Sequence, residues 1–72
     1  MIGSHAIIQA AAHAGAAEAL CHLDPARASD AVRSGCEALQ KARREHALRG
    51  ECAIIEVALA RVAAHLELPA LA

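Results

Sequence analysis

Charged and apolar positions separate most cleanly in the middle of the chain. Arg33, Glu37, Lys41, Glu45 and Arg49 recur every four residues with alternating sign, so neighbours in the series can meet on one helix face and contribute about 0.2–0.5 kcal/mol per pair. Such a ladder belongs in water. About a third of a turn away runs a second row, Val32, Cys36, Leu39, Arg43, His46 and Gly50, at the alternating four-and-three spacing of a helix–helix seam. Its first half is apolar and predicts a core-facing surface. Its second half turns polar and then to glycine, which marks an end of the seam.

The flanking stretches read as two more helices. From Ala6 to Leu23, Ile8, Ala12, Gly15, Ala19 and Leu23 form one stripe, with Ile7, Ala11, Ala16 and Leu20 beside it. Leu23-Asp24-Pro25 then punctuates the chain. A proline has no N–H to lose in the first turn of a helix, and the Asp24 carboxylate can accept from the free N–H groups that follow. The spacing therefore predicts helices over about 5–23, 25–49 and 51–68, with Gly50 as the left-handed residue that stops the second and Pro69 ending the third. After Gly50 the apolar row is Leu48, Cys52, Ile55, Leu59, Val62 and Leu66, on a different side from the Val32–Leu39 row, so a change of direction lets both face one core. The chain contains no Tyr, Phe, Trp or Thr, and no strand pattern competes. The expected fold is a single all-α domain over 1–72, two to three antiparallel helices forming a hairpin or small bundle, with 1–4 and 70–72 frayed.

Composition changes this picture in one respect. Only sixteen Leu, Ile and Val stand beside twenty-one Ala, a thin core for a chain near the size at which a lone core becomes marginal. The first helix carries a single acid, Glu18. A homodimer, or completion by a protein partner, is expected, through Ile8, Ala12 and Leu20 of the first helix and Leu48, Ile55, Leu59, Val62 and Leu66 of the third. A formal charge of −1 and the absence of aromatic residues argue against nucleic acid as a partner. No apolar run reaches the ~18 residues of a membrane span.

Three cysteines do not make a disulfide framework. Reduced thiols in a cytoplasmic protein are expected, since the opening Met1–His5 lacks the basic region of a signal peptide. The five histidines, His5, His13, His22, His46 and His65, show no H-x-x-x-H or H-E-x-x-H spacing, and no C-x-x-C occurs. Adjacent Cys21 and His22 would point to different faces of a continuing helix. No metal, no cofactor and no enzymatic activity are expected.

Two families resemble the central stretch. The run Glu37–Cys52, EALQKARREHALRGEC, resembles the helix-then-glycine corner of the small type III secretion co-chaperones, helical hairpins that pair with a tetratricopeptide-like chaperone to keep the needle subunit soluble. That resemblance implies a non-enzymatic binding module covering a partner's apolar surface. The shorter run HALRG, His46–Gly50, is similar to the H-x-L-K/R-G motif of histidine phosphotransfer domains. It implies His46 as phosphoacceptor, Arg49 facing the phosphoryl charge and Gly50 clearing space for a receiver domain, all on one unbroken helix. Glu51 and Glu56 stand close to that histidine and would repel a phosphate, which places the binding module first.

Overall fold

A computed structural model describes residues 5–67, and its regular elements are α1 (His5–Leu20), α2 (Pro25–Arg44) and α3 (Arg49–His65). The described residues are all-α and contain no strand. None of their helices is long and apolar enough to cross a membrane. The expected frayed ends and the Pro69 stop lie outside the described residues.

Local chemistry explains where α2 begins. Asp24 is its N-cap, Pro25 follows in the first turn, and the Arg27 backbone N–H donates to Asp24 Oδ1 at 3.3 Å. The ends of the helices depart from expectation. α1 stops at Leu20, whose carbonyl accepts from both Leu23 N–H (3.0 Å) and Asp24 N–H (2.8 Å), so Cys21–Leu23 form a turn instead of a last helical turn. α2 stops at Arg44, and the residue in the left-handed region is His46, with φ 63°, not Gly50. The His46 N–H donates to Arg43 O and the Ala47 N–H to Ala42 O, the paired bonds of a Schellman stop with His46 at C′. Gly50 lies inside α3, which ends at His65 with Glu67 left-handed (φ 56°) beyond it.

Tertiary packing overrides the glycine signal. One core cluster joins Ala6, Ile7, Ala10 and Ala14 of α1 to Leu39 and Ala42 of α2 and to Cys52, Ile55 and Leu59 of α3, with Ala47 packed against it. The start of α1 thus sits level with Ala42. Carrying α2 on to Arg49 would extend it about 7.5 Å at 1.5 Å per residue, lifting Cys52 and Ile55 away from the α1 residues they cover. A second cluster, Ala17, Cys21, Ala31, Val32, Val62 and Ala63, fills the other end, and Cys36 touches both. The apolar half of the α2 seam faces the core as expected. The ladder does not survive whole: Arg33, Glu37 and Lys41 lie exposed on α2, whereas Glu45 caps that helix and Arg49 opens the next.

The α1 stripe of Ile8 and Ala12 does not face this chain's own core. The buried residues of that helix are Ala6, Ile7, Ala10, Ala14 and Ala17, so Ile8, Ala12, Gly15 and Ala19 face outward. At mid-height Gly35 lets the helices close. A Cβ placed there would lie 2.8 Å from Leu59 Cδ2 and 3.3 Å from His13 Cβ, and Leu59 is only 1% exposed, so it has little room to rotate away. Gly50 has nothing within 4 Å of such a Cβ.

These environments predict opposite outcomes for one substitution. Gly35→Ala should overpack the core by ~1–3 kcal/mol, more than the ~1 kcal/mol of helix propensity it gains, and so lower the urea midpoint. Gly50→Ala should raise it, by up to ~1 kcal/mol. The reverse order would mean that α2 ends at the glycine after all.

Candidate functional site

The corner between α2 and α3 is a joint held by polar contacts. Arg43, near the end of α2, donates from its guanidinium to the Glu56 carboxylate of α3. That hydrogen bond and the carboxylate's charge raise Arg43 further above its already high ordinary pKa. Both groups remain about half exposed, so the pair is worth no more than ~1 kcal/mol. An open cleft of about 560 Å³ lies over it, lined by His46, Arg49, Cys52 and Ala53 as well as the pair. Glu56 neutralises one of the two arginines that line this cleft. Glu51 stands in the first turn of α3, where an acid complements the helix dipole.

His46 is exposed, but it sits in the left-handed stop while Arg49 and Gly50 are the first two residues of α3. The HALRG run therefore straddles a helix break, and the imidazole, the cation and the glycine do not share one helix face. Cys36 is no better placed as a nucleophile: partial burial raises its thiol pKa, and the nearby Glu37 and Glu56 carboxylates raise it further.

The partner-facing residues expected from the sequence divide into two groups. Ile8, Ala12 and Leu48 are exposed, and Leu20 and Leu66 are half-buried. Ile55, Leu59 and Val62 are core residues of this chain, each less than a tenth exposed, and are closed to a docking partner in this fold. The exposed apolar residues of α3 are instead Ile54, 73% exposed, and Val57, 49% exposed. The signal for them was present in the sequence, since both fall off the core-facing row. With Glu18 of α1 and Ala53, Ala58 and Arg61 of α3 they line an open groove of about 500 Å³ between the two helices. Next to it runs the outward stripe of α1, where Gly15 has open space over its Cα.

A third grouping was not foreseen. Cys21, His22 and His65 bring their ligand atoms within 4.8 Å of one another, and they are the one such group of three or more His, Cys, Asp or Glu among the described residues. The two imidazole rings meet edge to face at 4.6 Å and 78°. Because α1 ends at Leu20, Cys21 and His22 are not successive residues of a helix, and the reason for keeping them apart disappears.

Comparison of the chain with known protein families, with curated proteins and with solved structures finds no match.

The His46 stop carries its own test. A left-handed non-glycine residue costs about 1–2 kcal/mol, and glycine's extra unfolded-state freedom returns roughly 0.5–1 of that. His46→Gly should therefore stabilise the chain by about 0.5–1 kcal/mol in chemical denaturation, with helical content unchanged. Destabilisation would show that the imidazole itself holds the corner.

Proposed function

We propose that the chain is a non-enzymatic helical binding module that works as a homodimer, its helices packed as an antiparallel bundle and its outer α1–α3 face covered by a second copy. The observation that carries this reading is the exposure of Ile54 and Val57 along one groove, with Ile8 also exposed on α1, in a chain half of whose core residues are alanine. Large apolar side chains gathered on one surface are characteristic of an interaction site. The groove also carries one acid and one base, Glu18 and Arg61, and among the described residues neither has an ion-pair partner. Under a two-fold axis each copy meets the same surface of the other, which sets Glu18 of one against Arg61 of its partner.

The secretion co-chaperone is the more specific form of this reading. In that form exposed apolar residues cover a partner's apolar surface, and those available for it are Ile8, Leu48, Ile54 and Val57, not Ile55, Leu59 and Val62. A phosphotransfer role for His46 has the exposure of its ring in its favour and the helix break before Gly50 against it.

Sedimentation equilibrium across a dilution series tests the dimer. Wild type should dissociate in the micromolar range, and Ile54→Glu with Val57→Glu should leave a helical monomer. Glu18→Arg and Arg61→Glu should each weaken association, and their combination should restore it. A chain that stays monomeric at all concentrations, or a double reversal that restores nothing, would overturn the proposed face.

A further inference from the structure

We propose that Cys21, His22 and His65 form a binding site for a divalent metal of the zinc class, which would clamp the α1–α2 turn to the end of α3. The three residues arrive from separate constraints. The Leu20 carbonyl, taking both Leu23 and Asp24 N–H groups, turns the chain so that Cys21 is buried in the second core cluster while His22 stays exposed beside it. His65 is the last residue of α3 and lies edge to face with His22 at 4.6 Å. The ligand atoms already lie within 4.8 Å of one another. A tetrahedral centre with bonds of about 2.0–2.3 Å requires separations of about 3.3–3.8 Å, so closure needs roughly another ångström. Rotation of two exposed imidazoles can supply it, with the buried sulfur fixed.

The donor set decides the class of ion. One thiolate and two imidazoles suit zinc or cobalt and do not suit magnesium or calcium, which take oxygen ligands. On binding, the Cys21 S–H bond gives way to a sulfur–metal bond and its proton leaves to solvent, while each histidine binds through the lone pair of a neutral ring. Three protein ligands leave a fourth position, which faces water between the two exposed rings. The site lies at the C-terminal ends of both α1 and α3, where the helix dipoles favour a cation. The clamp joins residues up to 44 positions apart in sequence, and it shares no residue with the groove proposed for dimerisation.

Titration of the untagged, reduced chain with Co²⁺ gives a direct readout, because thiolate ligation adds a near-ultraviolet charge-transfer band and tetrahedral geometry gives intense visible absorption. Both should saturate at one equivalent per chain, and Zn²⁺ should displace the cobalt and raise Tm. His22→Asn and His65→Asn alter exposed side chains and should leave the fold intact while weakening Co²⁺ binding at least ~10–100-fold, the loss typical even for a residue behind a metal ligand. His5→Asn and His46→Asn should leave Co²⁺ binding unchanged. Cys21→Ser should abolish the charge-transfer band; if that variant does not fold, the two histidine variants decide. No cobalt spectrum with wild type, or one that survives both histidine substitutions, would overturn the site and leave the His22–His65 contact as a ring pair alone.

Discussion

A chain without aromatic residues must hold its helices together by bringing their backbones close, and here that approach is set by Leu59 seated over Gly35. Alanines contribute little area each, so their dispersion contacts count only when neighbouring helices leave no gap. Gly35 opens a notch in α2, Leu59 of α3 fills it, and His13 of α1 closes beside it. Two core clusters extend from this point toward the two ends of the molecule. The turns then fall where the clusters allow, and not where the most permissive residue lies. That is why a histidine takes the left-handed position at the end of α2 while a glycine four residues later stays helical.

The same economy of large side chains shapes the surface. The best-spaced apolar row of α3 fills the interior, so the apolar residues off that row, Ile54 and Val57, are left in water together with Ile8 of α1. Core and candidate interface are thus complementary selections from one short list of large residues. At the other end the turn after α1 gathers two imidazoles and a thiol. A dimer face along α1 and α3 and a clamp across their ends would each add cohesion that a core of this composition lacks.

Legibility in the sequence followed the range of the interaction. The all-α class, the Asp24–Pro25 start of α2 and the inward face of Val32 and Leu39 depend on contacts within a turn or two, and each could be read directly. Which face of α1 meets this chain's own core is less legible, because alanine and glycine occupy both of its sides and periodicity carries no sign when the two faces are almost equally apolar. Ile54 and Ile55, adjacent residues of one type, are separable by contrast, since only Ile55 falls on the apolar row of α3 and only Ile55 is buried. Gly50 resembles a stop and Gly35 carries no local sign of its notch, since the sequence does not reveal what lies across from a glycine. The meeting of Cys21 and His22 with His65 spans most of the chain, and no local spacing rule can register it.

The most direct test of this account is a double-mutant cycle between Gly35→Ala and Leu59→Ala, followed by urea denaturation. Leu59→Ala alone should destabilise by ~2–5 kcal/mol. In its background the added methyl at position 35 has space, so Gly35→Ala should turn from destabilising to neutral or stabilising, with a coupling energy on the order of 1–3 kcal/mol. Additivity of the two changes within ~0.5 kcal/mol would contradict the central claim, because it would mean that the notch and the leucine do not meet.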